Sequence, residues 1–487
     1  MEPRMSCRQR RQSKEIDSEK AATSAAGPLP KRPERETGDV LIVTVGSVRR
    51  PAGEGKNPKI AWLIDPGVGT VPGPVGIFRP GMSTKRIMDS LATLLLKPGE
   101  ADRIVAGHPW LYEGSILRLI GAPKDGDVVQ VKDHRQRFLG LGFFNGKSRI
   151  RVRMMTHERE EIDRAFFVRR ISAALKHRRK HLSGATSFRV VNSEADLLSG
   201  LIVDLYEDVL VVQTSSLGMD QRKQQVVSVL QELLSPKAIL ERNDMASRKF
   251  EGLEEAQGVL AGVAPEGLTA RLNGLKFQIP SAGGHKTGMY LDQQDNYEAV
   301  SRWAKDANVL DCFSFLGGFA LHAARAGARS VLGVDQSAEA IEAAKANAVA
   351  NGLGEKVQFE AGNVFDWLKG NTTVLASEKM VPKFDLIILD PPSFTRSRAA
   401  VGDALRGYKE IHLRSLKLLR PGGVLSTFCC SHHVDARLFE DVILSAAYDC
   451  HRVLRRIAAY SQSPDHPILP SIPETEYLKG YAYEIVV

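Results

Sequence analysis

The strongest constraint on the fold is a series of short apolar segments, each of which leads into residues that can bind a ligand or react. In chain order they are Val309–Phe319, Phe384–Phe394 and Leu425–Ser431. The first has the pattern of a buried strand that enters a glycine turn and a helix, the second ends on a carboxylate and two prolines, and the third ends on thiols. This pattern predicts a doubly wound α/β domain whose strand ends present an acid and a cysteine above a nucleotide-like cofactor.

Two further strands follow the same rule. Ser330–Asp335 ends on an acid about 20 residues after the first strand, where a ribose diol would need an acceptor. Val357–Glu360 is followed by Gly362 and Asn363. Strands that alternate with helices imply a parallel sheet, with ligands at the carboxyl ends of its strands. No G-x-G-x-x-G follows the first strand, which disfavours a dinucleotide site.

Composition narrows the class of protein. The chain has 487 residues, a net charge of +9 and a pI near 9.2. This favours an anionic partner such as nucleic acid, although a merely basic surface explains the charge equally well. The five cysteines show no spaced pairs, so neither a disulfide framework nor a zinc site is expected, and a cytoplasmic location fits. No apolar run approaches the roughly 18 residues of a membrane span.

Composition also divides the chain into four parts. Residues 1–82 are rich in charged residues, Gly and Pro, and we expect them to be a disordered extension, with Met82 as an alternative start. Residues 83–157 have many short strands with Gly turns, as in a small β-barrel. Residues 158–275 mix strands and helices as an α+β unit, and residues 276–487 form the α/β domain.

Two basic features of the middle of the chain are candidates for RNA contact. Strand alternation in Ile150–Met154 places two arginines on one face, and a helix carries a basic run soon afterwards. The alternatives are a purely structural barrel and a solvated helix face. The expected RNA-binding residues are Arg151, Arg153, Lys176, Arg178, Arg179 and Lys180.

Several longer motifs carry a resemblance to a known family. They are His108-Pro-Trp, Ser193–Gly200, Ser247–Gly252, Gly284–Gly288, Tyr290–Gln293, Asp390-Pro-Pro, Arg406–Lys409 and Tyr477–Gly480. On these residues the chain from about position 84 to 487 resembles the RlmI-type methyltransferases of large-subunit rRNA. The resemblance implies a Rossmann-like class I methyltransferase sheet, preceded by a PUA-type RNA-binding barrel and an α+β central domain.

The resemblance also implies a function. The expected cofactor is S-adenosyl-L-methionine (SAM), the partner is large-subunit (23S) rRNA, and the product is cytosine methylated at C5. A homodimer is left open, and neither a metal nor a membrane partner is expected. The implied catalytic residues are Cys430 and Asp390. The implied cofactor-binding residues are Lys286, Thr287, Tyr290, Asp292, Gln293, Asp311, Phe313, Ser314, Gly317, Gly318, Asp335, Asn363 and Asp390.

The chain departs from the family pattern at a few positions near these motifs. Leu316 replaces a threonine, Gln294 an arginine and Asn363 an aspartate. Ser393 stands where the family has lysine after Asp-Pro-Pro, and the residues after Cys430 are Ser-His-His instead of Ser-Gly-Leu. These changes bear on SAM affinity and substrate choice more than on the class of reaction.

The chemistry explains why a thiol is needed. C5 of cytosine is a poor nucleophile, and addition of a thiolate to C6 makes C5 an enamine carbon that can accept a methyl group. Neighbouring strand residues face opposite sides, so only one of Cys429 and Cys430 can face the base, and the resemblance selects Cys430. Asp390 is expected to bind the N3/N4 edge of the base.

Three other interpretations stay open at this point. Asp390-Pro-Pro could bind an exocyclic amine, as in enzymes that methylate amino groups of bases or small molecules. The chain could also be a non-catalytic RNA-binding assembly factor. A metal site at Cys429, Cys430, His432 and His433 is disfavoured, because contiguous strand residues cannot all converge on one ion.

Overall fold

The computed structural model describes residues 90–280, 288–379, 381–395 and 397–486. The extension predicted to be disordered, residues 1–82, lies outside the described residues, and so do Lys286 and Thr287. In the part that is described, no helix is both long enough and apolar enough to cross a bilayer.

The first sheet is built from short strands in the region predicted to be β-rich. Its elements are β1 (Thr93–Leu96), α1 (Ala101–Val105), β2 (Trp110–Tyr112), β3 (Ile116–Ile120), β4 (Val128–Lys132), β5 (Phe138–Phe144) and β6 (Ile150–Thr156). The strand order is β2-β6-β5-β4-β1-β3. Alternating apolar residues such as Leu94, Val129 and Val152 face inward and form one small core.

The second sheet and a hairpin follow. Their elements are α2 (Arg164–His181), β7 (Ser187–Asn192), β8 (Leu201–Tyr206), β9 (Val209–Thr214), α3 (Leu217–Asp220), α4 (Lys223–Leu234), β10 (Ala238–Asn243), β11 (Ala256–Gly262), β12 (Leu268–Leu272) and β13 (Leu275–Ile279). The five-stranded sheet has the order β11-β10-β9-β8-β7, and β12 and β13 form a two-stranded sheet. Helix α2 begins at an aspartate cap, since the Asp163 side chain accepts from the Phe166 amide at 2.9 Å.

The largest sheet has seven strands. Its elements are α5 (Gln294–Ser301), β14 (Asn308–Cys312), α6 (Gly318–Arg325), β15 (Ser330–Asp335), α7 (Ala338–Ala350), β16 (Val357–Ala361), α8 (Val364–Ser377), β17 (Phe384–Leu389), α9 (Val401–Leu418), β18 (Leu419–Cys429), α10 (Ala436–Asp449), β19 (Leu454–Tyr460) and β20 (Lys479–Ile485). The strand order is β16-β15-β14-β17-β18-β20-β19. Strands β14 to β18 are parallel, and β20 is antiparallel to both β18 and β19.

Helices cover both faces of this sheet. Successive residues of β17 enter different cores: Leu386 and Ile388 pack in one, and Ile387 and Leu389 in the other. The first core includes residues of α5, α6 and α7, and the second includes residues of α8, α9 and α10. Such a strand must be apolar on both sides, which explains the continuous hydrophobic run. The predicted doubly wound α/β class is confirmed.

This topology fixes where a ligand can bind. The chain order reverses at β14, which lies between β15 and β17. The carboxyl ends of the five parallel strands share one edge, and in sheets of this kind ligands bind at the point where the strand order reverses. Asp311, Asp335, Asn363, Asp390 and Cys430 all lie at or just after the ends of those strands.

Candidate active site at the carboxyl ends of the parallel strands

Asp311, near the end of β14, is a fully buried carboxyl group. Its Oδ2 accepts a hydrogen bond from the Ala320 amide at 2.9 Å, whereas Oδ1 has no partner among the described residues. Burial raises the pKa of this carboxyl well above its ordinary value. Ser314 is buried too, and its hydroxyl likewise has no partner within the described ranges. Buried polar atoms are nearly always satisfied, so these two groups are suited to a polar ligand.

The loop after β14 has an unusual backbone. Phe313 and Phe315 adopt left-handed conformations with φ of 65° and 48°, and Gly317 has φ of 85°. Non-glycine residues rarely take this conformation, and such strain concentrates at ligand sites. At Gly318 a β-carbon would lie 2.6 Å from the ring of Tyr297, so only glycine fits where α6 begins. The loop is thus held in a conformation that its sequence alone does not favour.

Asp335, at the end of β15, holds this loop in place. Its Oδ2 accepts from the Phe315 amide at 3.0 Å, and its Oδ1 accepts from the Ser337 amide at 2.9 Å. Each carboxylate oxygen has a further lone pair, so contact with a ribose diol stays a prediction.

Asn363 has a structural role that the sequence analysis did not assign. It is the N-cap of α8, and its Oδ1 accepts from the Phe365 amide at 2.9 Å and from the Asp366 amide at 3.4 Å. The amide oxygen that Asn363 could offer to a cofactor is therefore shared with the helix terminus. Its contact with the cofactor stays a prediction.

The segment that precedes α5 lines the same edge. Tyr290 packs edge-on against Phe315, with ring centroids 5.3 Å apart. Burial, followed by the nearby charges of Asp390 and Asp292, raises the pKa of the Tyr290 hydroxyl. The charge of Asp390 and the thiol of Cys430 both contribute to this shift. Tyr290 therefore lies within electrostatic range of the loops after β17 and β18.

Its next two residues are anchored by hydrogen bonds. Asp292 Oδ2 accepts from the Tyr477 hydroxyl at 2.7 Å. Gln293 Oε1 accepts from the Asn296 side-chain amide at 2.6 Å. Both Asp292 and Gln293 are buried, and these hydrogen bonds fix the segment that carries Tyr290.

The two adjacent thiols differ as strand alternation predicts. Cys429 is fully buried in the core on the α8–α10 side, and its Sγ donates to the Tyr408 hydroxyl at 3.4 Å. Cys430 is only half-buried and packs toward the opposite core. Its Sγ lies 4.0 Å from the carbonyl oxygen of Pro391, directly after Asp390. The prediction that the two thiols face opposite sides is confirmed.

Several residues that fix the Cys430 loop were missed by the sequence analysis. Ser431 Oγ lies 2.8 Å from Ser393 Oγ and 3.2 Å from the Tyr408 hydroxyl. Lys479 Nζ donates to the carbonyl oxygens of Ser431 at 2.7 Å and Val434 at 2.8 Å. Burial lowers the pKa of Lys479. Lys479 lies within the Tyr477–Gly480 motif, but the motif does not indicate that this lysine fixes the loop.

The RNA-binding prediction requires correction at two arginines. Arg178 is fully buried, and its guanidinium makes an ion pair with Asp196, with N–O distances of 2.5 and 2.7 Å. The Arg153 side chain is 12% exposed and pairs with Glu251 at 2.9 Å and Glu194 at 3.4 Å. Each arginine has its charge neutralised inside the protein, so neither presents it to a phosphate.

The remaining predicted RNA-binding residues are accessible to different degrees. Lys176, Arg179 and Lys180 are exposed on α2. The Arg151 side chain is 18% exposed and makes an ion pair with Glu113 at 2.5 Å. Phosphate contact stays a prediction for these four residues, and it is physically best suited to the three on α2.

No group of three or more His, Cys, Asp or Glu side chains with the geometry of a metal site occurs in the described ranges. His432 and His433, which lie near the thiols, are exposed in the loop after β18.

Comparison with known proteins agrees with this architecture. A family model described as a PUA-like domain matches residues 94–157, and one described as an S-adenosylmethionine-dependent methyltransferase matches residues 200–469. The curated relatives include "Ribosomal RNA large subunit methyltransferase I" of Alteromonas mediterranea, 39% identical over 81% of this chain and 99% of the relative. The protein with that name in Klebsiella pneumoniae subsp. pneumoniae is 38% identical over 81% of this chain and 98% of its own.

Solved structures show the same fold. A Streptococcus mutans protein assigned to the SAM-dependent methyltransferases is 19% identical, with a TM-score of 0.67, over 80% of this chain and 99% of its own. A methyltransferase solved in complex with SAH is 20% identical, with a TM-score of 0.68, over 80% of this chain and 99% of its own.

The cofactor of the protein is SAM. The chain belongs to the S-adenosylmethionine-dependent methyltransferase family, in the group that includes the ribosomal RNA large subunit methyltransferases I.

Proposed function

We propose that this protein methylates C5 of a cytosine in large-subunit (23S) rRNA through a covalent bond between Cys430 and C6 of the base. The observation that carries the proposal is the position of the Cys430 thiol. It is half-buried, lies 4.0 Å from the Pro391 carbonyl oxygen and contributes to the surroundings of Tyr290, whereas Cys429 is fully buried.

Residues of the β14 loop and its neighbours would hold the cofactor. Asp311 Oδ1 and Ser314 Oγ are buried without partners in the described part of the chain, and the turn at Gly317 and Gly318 allows close approach. SAM supplies an electrophilic methyl group there. The strained, pre-formed loop reduces the ordering cost of binding.

The chemistry depends on two residues of the neighbouring loops. The Cys430 thiolate adds to C6 of cytosine, which places electron density on C5 and makes it nucleophilic. Asp390 in its protonated form accepts a hydrogen bond from N4 and donates its proton to N3 as C6 is attacked, which neutralises the negative charge that develops on the base, and it recovers the proton when the C6–S bond breaks. After C5 has gained the methyl group, it loses its proton and the C6–S bond breaks, which restores the thiolate.

The N-terminal half of the described chain would bind the RNA. We propose a PUA-like RNA-binding domain over residues 83–157, a central α+β domain over 158–275 and the methyltransferase domain over 276–487. The exposed cations of α2, at Lys176, Arg179 and Lys180, can contact phosphates and supply a salt-dependent part of the affinity.

The test compares the two adjacent thiols. Serine is far less ionised than cysteine at neutral pH, so Cys430→Ser should abolish methyl transfer to 23S rRNA fragments and leave SAM binding intact. Cys429→Ser is the matched control and should keep most of its activity. Rates are followed by transfer of a labelled methyl group, and SAM binding by calorimetry.

A trapping experiment identifies the covalent step. RNA with 5-fluorocytosine at the target should form a stable adduct with the wild type and with the Cys429 variant, because fluorine at C5 cannot leave as a proton does. The Cys430 variant should form none. Near wild-type methylation by Cys430→Ser would contradict the proposal and favour amino methylation centred on Asp390.

A further inference from the structure

We propose that His432 is the base that accepts the C5 proton in the last step of the reaction, an inference that rests on the proposed function. Once the methyl group has been transferred, C5 carries both a methyl group and a hydrogen, and C6 is bonded to Cys430. A base must take that hydrogen as a proton. The electrons of the C–H bond then form the C5–C6 double bond, the C6–S bond breaks, and the thiolate leaves.

The required base must differ from the residues already engaged. Cys430 is bonded to C6 in this intermediate, and Asp390 holds the N3/N4 edge. A neutral imidazole has a lone pair for the proton and an ordinary pKa near neutrality, which suits general base catalysis. His432 is exposed and lies two residues after Cys430, so its ring is accessible to a bound base.

The His432 ring packs beside Tyr477. Its centroid lies 5.7 Å from that of Tyr477, at an interplanar angle of 44°. Tyr477 and Cys430 pack against the same core, and the Tyr477 hydroxyl donates to Asp292 at 2.7 Å. Asp292 and Cys430 both contribute to the environment of Tyr290. Tyr477 thus connects the His432 ring to Asp292, and the sequence places His432 two residues from the thiol.

The backbone that carries His432 is fixed on both sides. Lys479 Nζ donates to the Ser431 carbonyl oxygen at 2.7 Å and to the Val434 carbonyl oxygen at 2.8 Å. The Ser431 side chain is bonded in turn to Ser393 and Tyr408. An exposed ring on a fixed backbone can approach the substrate without a large loop movement, which favours proton transfer.

The test measures methyl transfer and product release separately, in the full-length protein with unmodified cytosine RNA. His432→Asn should transfer about one methyl group per enzyme in a first turnover and then stall, with the methylated RNA still bound to Cys430. Steady-state turnover should fall by about 100-fold, the usual contribution of a general base. His433→Asn is the matched control, because His433 is the adjacent exposed histidine, and its turnover should equal that of the wild type.

A second variant tests whether the missing imidazole itself causes the stall. His432→Ala should stall in the same way, and free imidazole in the buffer should restore product release. The inference would be overturned if both variants released product at the wild-type rate. It would also be overturned if the variants lost RNA binding and the first methyl transfer to the same extent as turnover. If the wild type itself forms no adduct with 5-fluorocytosine RNA, the proposed function fails and this inference fails with it.

Discussion

Ser393 Oγ and Ser431 Oγ lie 2.8 Å apart and join the loop after β17 to the loop after β18. Ser393 follows Asp390-Pro-Pro, and Ser431 follows Cys430. Ser431 also lies 3.2 Å from the hydroxyl of buried Tyr408. This hydrogen bond therefore ties the loop that carries Asp390 to the loop that carries Cys430.

Removal of either hydroxyl should loosen this arrangement. For Ser393→Ala and for Ser431→Ala we expect kcat for rRNA methylation to fall about tenfold with little change in KM, because small displacements of positioned groups are costly. The double variant should be little worse than either single one, since both lose the same bond. Ser377→Ala, which removes an exposed hydroxyl at the end of α8, is the control. Equal kcat in all four variants would show that the bond has no positioning role.

Asp311→Asn should raise the stability of the ligand-free protein and weaken cofactor binding. The pKa of Asp311 is raised in the folded protein, so its favourable contribution is present below about pH 4 and is lost as the pH rises. Above that pH the carboxyl therefore destabilises the ligand-free protein. Asparagine does not titrate and keeps an acceptor for the Ala320 amide. We expect the melting temperature of the ligand-free variant to exceed that of the wild type at pH 8, and the difference to shrink toward pH 4.

The same variant should bind SAM at least tenfold more weakly, because a charged acceptor makes stronger hydrogen bonds than an amide oxygen does. Calorimetric titration at pH 8 measures this loss. A variant that binds SAM as tightly as the wild type would show that Oδ1 of Asp311 does not contact the cofactor.

Adjacent arginines of α2 should behave in opposite ways. Arg178→Met leaves the Asp196 carboxylate buried without its partner, so the free energy of unfolding should fall by about 3–5 kcal/mol. Arg179→Met replaces an exposed side chain and should change the free energy of unfolding by less than about 0.5 kcal/mol. Only the second should weaken RNA binding directly, with a shallower salt dependence. Chemical denaturation and binding titrations at two salt concentrations measure both effects, and a destabilised Arg179 variant would contradict the assignment.

Features that depend on neighbouring residues could be predicted from the sequence. The strand Ser330–Asp335 has the bounds that its apolar run predicts, and the predicted strand Val357–Glu360 is found as Val357–Ala361. The opposite orientation of Cys429 and Cys430 follows from strand alternation. In each case the information lies within a few residues.

Features that depend on distant partners could not be predicted in this way. Arg178 contacts the Asp465 carbonyl oxygen, 287 residues away, and Arg153 contacts Glu251, 98 residues away. A basic residue with a buried partner has the same local sequence as one that faces solvent. Asn363 is a different case, since asparagine before an apolar helix is a recognisable N-cap signal that was interpreted only as a ligand.

The position of β20 has a consequence for the order in which the protein matures. β20 is the last strand of its sheet in chain order, yet it lies between β18 and β19 and carries Lys479. During synthesis on the ribosome β18 therefore stays at an unprotected sheet edge until Lys479–Ile485 has emerged. The loop that holds Cys430 and His432 can become rigid only then. A nascent chain that has not yet added β20 would have its β14 loop in place while the Cys430 thiol remained unpositioned.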